Sequence, residues 1–232
     1  MTLPKTMRAM VTMGHGDLDQ MVLHENWPRP DPAPDEVLIR VRACGLNNTD
    51  VNTRSGWYSK TVTDATTGEA FAEVGEDDPT WGGAPITFPR IQGADVCGEI
   101  VAVGENIDPS RIGERVITDG WLRDADDPDD MNKTGYFGSE RDGGFAQYTT
   151  TPSRNALRVQ SDLSDAELAT FSCSYSTAEG MLMRAQVRAN DTVLVPGASG
   201  GVGGALVQLA KRRGARVIAM ASEAKHKDVA EL

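Results

Sequence analysis

The sequence predicts a chain in two parts, a β-rich domain over residues 1–160 followed by an incomplete α/β domain of the parallel βαβ type over residues 161–232. Three observations carry that prediction. Short strand-like runs separated by Gly, Pro and Asp fill the first part. At Ser164 the pattern changes to helical spacing. Residues 192–203, TVLVPGASGGVG, then join a short apolar strand to a glycine-spaced turn that opens a helix.

In chain order, residues 7–13, 21–25, 37–44, 99–103, 115–118 and 145–150 read as short strands. Between the second and third, PRPDPAPDEV enforces extended backbone, because proline fixes φ and withholds a helix donor. Ser164 and Glu167 have capping-box spacing and open a helical stretch predicted over residues 165–184. Val193, Leu194 and Val195 form the continuous apolar run of a strand buried on both faces. The glycines at 197, 200 and 203 have a shifted form of the dinucleotide-binding spacing, and Ala205, Leu206, Leu209 and Ala210 follow at helical intervals. One glycine would permit the tight turn, one would let backbone approach a pyrophosphate, and one would allow close helix packing. The N–H groups of Gly200, Gly201, Val202 and Gly203 are the expected anion cradle at the positive end of the helix dipole. Lys211, Arg212, Arg213 and Gly214 end that helix, and residues 215–221 (ARVIAMA) supply a second strand.

At the end of that second strand an NAD-selective site usually carries an acidic residue for the ribose 2′-OH. Here the position is Ala221, followed by Ser222, Lys225, His226 and Lys227. Small and basic groups suit a 2′-phosphate, so Ser222 and Lys225 point to NADP(H). The lysines also fit an exposed helix start, and Glu223 keeps NAD(H) open. A doubly wound dinucleotide domain normally has about six strands, whereas the chain stops at Leu232 after two. The expectation is a fragment of a longer enzyme or a truncated product. Its uncovered apolar surface would favour aggregation or pairing with another chain, a homo-oligomer among the outcomes.

A net charge of −11 argues against a general nucleic-acid or anionic-membrane binder, which needs a basic face. Five aspartates between Asp124 and Asp130 lack the Gly and terminal Glu of a calcium loop and read as a solvated surface loop. No apolar run reaches membrane-spanning length and no signal peptide is recognisable, so the expected location is the cytoplasm. Cys44, Cys97 and Cys173 are too few and too scattered for a disulfide framework.

The motifs GLNNTDVNTRSGWY (45–58), GADVCGEIVAVG (93–104), GERV (113–116), DGGFAQY (142–148) and GASGGVGGALVQLAKRRGA (197–215) occur in an order that resembles the medium-chain dehydrogenase/reductase superfamily. Within it they look like the zinc-free, quinone-oxidoreductase-like branch. The resemblance implies a GroES-like β-rich domain, a Rossmann domain, and hydride transfer in the cleft between them. Zinc-dependent relatives have a cysteine and a histidine where this chain has Asn47 and Ala94, while Cys173 aligns with their third ligand. One thiol does not make a three-ligand catalytic site, and residues 121–141 contain no structural-zinc cysteines. A metal-free enzyme is therefore expected.

Without zinc, developing charge on a carbonyl oxygen must be met by hydrogen bonds. The resemblance puts Asn47 beside the nicotinamide; the alternative is a turn-stabilising asparagine. Thr49 matches the hydroxyl that relays protons in zinc relatives, or it caps the following helix. Asp50 and Arg54 would share a helix face as an ion pair. Tyr58 flanks the family's cleft, Thr177 matches the threonine against the nicotinamide unless it merely packs, and Asn52 stands where the branch often has a tyrosine. Residues 59–90 are an insertion, read either as a lid whose Trp81 stacks on an unsaturated substrate or as a surface excursion. The resulting expectation is NADPH-dependent reduction of a quinone, enone or aldehyde. A divergent zinc-type alcohol dehydrogenase and a nucleotide-binding module or fragment without turnover remain the alternatives.

Overall fold

The structure is a computed structural model that describes residues 3–58 and 85–232. Trp81, and with it the lid reading of the insertion, lies outside the described residues. The chain divides into two compact units, Met1–Ala169 and Thr170–Leu232.

In the first unit, strands β1 (Thr6–Thr12) and β2 (Met21–Pro28) form an antiparallel pair. Met7, Ala9 and Val11 point inward at the period of two that an amphipathic strand requires. Next come β3 (Glu36–Gly45), helix α1 (Asn48–Arg54), β4 (Asp95–Val103) and β5 (Arg115–Thr118). The small pair β6 (Trp121–Leu122) and β7 (Gly135–Tyr136) precedes β8 (Tyr148–Pro152) and β9 (Ala156–Arg158). Strands β8-β3-β4-β5-β9 make a five-stranded antiparallel sheet around Val37, Ile39, Val96, Ile100, Val116, Phe137 and Ala156.

The β3–β4 register sets the site. It runs from Val37 opposite Val103 to Gly45 opposite Asp95, so β3 ends where β4 begins. A Cβ on Gly45 would sit 2.4 Å from the Ala169 carbonyl oxygen, which only glycine tolerates.

Strand β4 begins four residues before the predicted segment. Val96 packs into the sheet core while Cys97 packs with Leu168 and Ala169, so both are fully buried and the strand loses the alternation that would reveal it. The predicted helix over residues 165–184 is two helices, α2 (Asp165–Leu168) and α3 (Ser172–Arg184). The Ser164–Glu167 capping box is formed as the spacing requires. Burial of Leu168 and Ala169 beside Cys97, Ala43 and Ile117 holds α2 against the sheet, and the division between the units falls immediately after it.

The second unit contains α3, β10 (Thr192–Val195), α4 (Gly201–Arg212), β11 (Arg216–Ala219) and α5 (His226–Ala230). Strands β10 and β11 are parallel, from Thr192 opposite Arg216 to Val195 opposite Ala219. Val195, Ala198 and Val207 form the core, joined by Leu206, Val217, Val229 and Leu232. Leu194, Ile218 and Met220 are exposed, so β10 is not buried on both faces as its apolar run predicts: Val195 enters the core while Leu194 on the opposite face is uncovered. Among the described residues, no helix is long and apolar enough to cross a membrane.

Candidate functional site

The first unit gathers the polar residues of interest where β3 leads into α1. Asn47 is the N-cap of α1, with extended backbone at φ −130° and ψ 156°. Its Oδ1 accepts the Thr49 N–H at 3.3 Å, and Asp50 Oδ2 reciprocates by accepting the Asn47 N–H at 2.9 Å. This capping box satisfies donors that the helix start leaves free. The cap therefore belongs to Asn47, and Thr49 lies inside the first turn. That geometry leaves the Thr49 Oγ1 buried and, among the described residues, without a hydrogen-bond partner.

The second end of the Asn47 amide is also engaged, with Nδ2 donating to Asp95 Oδ2 at 3.3 Å. Asp50 turns inward, its Oδ1 accepting the Gly93 N–H at 3.1 Å. Below it, Gln92 donates to the Asp50 carbonyl at 2.9 Å and accepts from the Thr12 hydroxyl at 2.8 Å. Burial pushes the Asp50 carboxyl up to about 6, and nearby Asp95 adds to that, against the opposing pull of the Asn47 and Gly93 N–H groups. The same burial and the same two carboxylates push the Cys44 thiol far above its ordinary range, which makes it a poor nucleophile.

The expected Asp50–Arg54 ion pair does not form. Arg54 reaches the Gly16 carbonyl at 2.5 Å and Asp17 at 3.7 Å, while Asp50 serves the backbone of Asn47 and Gly93. Tyr58 follows α1, and the Asn52 amide donates to its Oη at 3.5 Å. Its ring meets Trp57 edge-on at 5.4 Å. A phenol thus sits beside the asparagine that replaces the branch's tyrosine.

In the second unit the three glycines differ in what they permit. Gly197 takes φ +63°, the left-handed turn conformation. A Cβ on Gly203 would lie 2.1 Å from the Gly197 carbonyl oxygen, so this position lets α4 start against the turn. Gly200 is the N-cap and supplies no side-chain cap, so the N–H groups of Gly201, Val202 and Gly203 in the first turn of α4 stay available to an anion, whereas the N–H of Gly200, expected in the same cradle, is taken up by the Gly197 carbonyl at 3.0 Å. These features fit a bound pyrophosphate.

Thr177 is exposed on α3, whereas Cys173, Ser174, Ala178 and Leu182 are its buried residues. Beyond β11, Ser222 precedes a 3-10 turn, Glu223–Lys225, and Lys225 leads into α5; both side chains are exposed. A cavity of about 380 Å³ opens there, lined by Lys211, Ala219, Ala221 and His226 among apolar neighbours. His226 Nε2 lies 3.1 Å from the Ala221 carbonyl oxygen. Among the described residues, no group of three or more His, Cys, Asp or Glu side chains is placed to hold a metal ion.

Sequence reasoning did not single out Asp95 or the inward role of Asp50. The spacing Asn47 to Asp50 is that of a capping box and could have revealed the bond of Asp50 to the Asn47 N–H, but not its turn toward Gly93. Nothing local reveals the first, which depends on β-sheet register.

An alcohol dehydrogenase GroES-like domain model matches residues 33–161, more than half of the chain. The chain is 29% identical over 218 residues to a human quinone oxidoreductase, covering 94% of this chain and 53% of that protein. It is 27% identical over 210 residues to an NADPH-dependent alkenal/one oxidoreductase of Arabidopsis thaliana, covering 90% and 46%. A solved structure from Sinorhizobium meliloti 1021, described as a candidate alcohol dehydrogenase, superposes with a TM-score of 0.85 at 47% identity, covering 99% of this chain and 61% of that one. The chain spans about half the length of the curated relatives it matches. The motif order, the antiparallel β-rich unit, the glycine-turn βαβ unit and the matching family model together establish that this chain belongs to the alcohol dehydrogenase GroES-like family, within the medium-chain dehydrogenase/reductase superfamily.

Proposed function

We propose that the chain is part of an NADP(H)-dependent, zinc-free oxidoreductase that reduces an activated carbonyl or conjugated double bond, in a quinone, enone or aldehyde. The observation that supports this most is the pairing, at the start of α1, of an oriented Asn47 amide with a buried Thr49 hydroxyl that has no partner among the described residues. Buried hydroxyls elsewhere in the chain, such as those of Thr149 and Thr151, are unpartnered as well, so it is the position of Thr49 next to the oriented Asn47 amide that supports the reading.

NADPH, when bound, supplies the hydride. The N–H groups of Gly201, Val202 and Gly203 would hold its pyrophosphate, and Thr177 would contact its nicotinamide half. Ala221, Ser222 and Lys225 leave room and charge for the 2′-phosphate. In the first unit, Asn47 Nδ2 donates to the substrate oxygen and stabilises the negative charge that develops there as hydride reaches carbon. Thr49 Oγ1 relays the proton that completes the reduction, giving its own hydrogen to oxygen for an aldehyde or to the α-carbon for an enone while it takes one from a solvent water, whose hydroxide returns to bulk. Tyr58 binds the substrate's unsaturated body. No metal step is needed: Asn47 and Ala94 provide neither the thiolate nor the imidazole of the zinc enzymes.

The test follows NADPH and NADH consumption with a panel of enones, quinones and aldehydes, alongside elemental analysis for zinc. The expected result is NADPH-dependent turnover without zinc, with Thr49→Val lowering kcat by about 10²-fold, the lower range for loss of a positioned proton donor. Stoichiometric zinc with alcohol-dependent NADP+ reduction would instead identify an alcohol dehydrogenase. Saturable NADPH binding in calorimetry without turnover would identify a nucleotide-binding module.

A further inference from the structure

Asp95 opens β4, and the strand register places it opposite Gly45, two residues before Asn47. It is only 2% exposed. Taking a carboxylate out of water is costly unless hydrogen bonds replace the lost solvent, and one such bond comes from Asn47 Nδ2 at 3.3 Å.

The two ends of an asparagine amide are nearly alike in shape and opposite in hydrogen-bonding polarity. Here Oδ1 faces the Thr49 N–H and Nδ2 faces the Asp95 carboxylate. Rotating the amide by half a turn would set Oδ1 against a carboxylate oxygen and Nδ2 against an N–H, so both contacts would become repulsive. The Thr49 N–H alone offers one bond of preference; the buried side chain of Asp95 adds a second, of opposite polarity, at 3.3 Å. Asp50 meanwhile holds the backbone N–H of the same residue at 2.9 Å. Two buried carboxylates thus clamp one asparagine, one through its backbone and the other through its side chain.

We propose that Asp95 is a positioning residue: it locks the Asn47 amide so that a donor N–H, and never the amide oxygen, is presented to the oxygen of the substrate. One Nδ2 hydrogen is spent on Asp95, and the other is left for the substrate. The proposal rests on the carbonyl- or enone-reductase reading above and assigns a role to a residue that reading does not use.

Asp95→Asn keeps the shape but accepts either orientation of Asn47. The expected result is a loss of about tenfold in kcat/KM for the best enone, the size of one oriented hydrogen bond, with the NADPH Kd unchanged. In an Asn47→Ala background the same substitution should cause no further loss. Multiplicative losses in the double variant would show that Asp95 acts independently of Asn47 and would overturn the proposal.

A second measurement needs no turnover and no variant. In protein isotope-labelled at asparagine, one Asn47 side-chain hydrogen should resonate downfield and exchange slowly with water in the unsubstituted chain. If both exchange as fast as those of exposed asparagines, the clamp does not exist. A chain that shows the slow exchange but reduces nothing would preserve the clamp and count against the reductase reading alone.

Discussion

Asp50 shows how a single residue ties stability to pH. Its carboxyl titrates at about 6 in the folded chain against an ordinary value near 3.8, so between those values the folded state binds more protons than the unfolded one. A raised folded pKa gives stability that is fully present below the unfolded value and is lost as pH rises through the folded value. Two pKa units correspond to roughly 3 kcal/mol at most. Asp50→Asn should remove this slope: the unfolding free energy of the original chain minus that of the variant, measured by denaturant unfolding, should fall steadily from pH 4 to pH 6.5. Parallel curves across that range would show that Asp50 is not the titrating group. At the same scale, Asn47 and Thr49 were legible from their motif, but the division of labour between them was not. Which residue caps and which hydroxyl is left unpaired depends on where the first helical turn begins, and one position of difference exchanges the two roles.

Elements were legible where their periodicity was undisturbed. Strands β1, β3 and β5, both strands of the parallel pair, and helix α4 with its basic C-terminal turn lie close to where the residue pattern puts them. The pattern failed for the first half of β4, buried on both faces, and for the break between α2 and α3, which packing against Cys97 imposes. The glycine turn allows a sharper test. Gly203→Ala would drive a Cβ into the Gly197 carbonyl, whereas a Cβ on Gly200 meets that same oxygen at an ordinary 3.4 Å. Gly203→Ala should therefore lower the melting temperature and, if the chain binds NADPH as proposed, its affinity for that cofactor by tenfold or more, equivalent to about 1.4 kcal/mol. Gly200→Ala should leave the melting temperature nearly unchanged, because only the approach of the phosphate is obstructed. Equal thermal behaviour of the two variants in calorimetry would contradict this account.

On the scale of the whole molecule, each unit has its own apolar clusters: Val37, Ile39, Val96 and Phe137 in the first, Val195, Ala198 and Val207 in the second. A unit with its own core should fold by itself. Residues 1–169 expressed alone are expected to unfold in one cooperative transition, followed by near-ultraviolet circular dichroism; a broad, non-cooperative melt would mean that the sheet needs residues 170–232. The sequence by itself determined the β-rich part, the glycine turn, the parallel strand pair and the absence of zinc-type residues at positions 47 and 94. Each of these is written in a few consecutive residues through backbone preference, hydrophobic period or side-chain chemistry. Only the tertiary structure decided that Asp95, 48 positions from Asn47, holds its amide, and that Asp50 faces inward instead of pairing with Arg54. Burial and electrostatic contact depend on neighbours in space, and here those neighbours are chosen by the β3–β4 register, which no short stretch of sequence encodes.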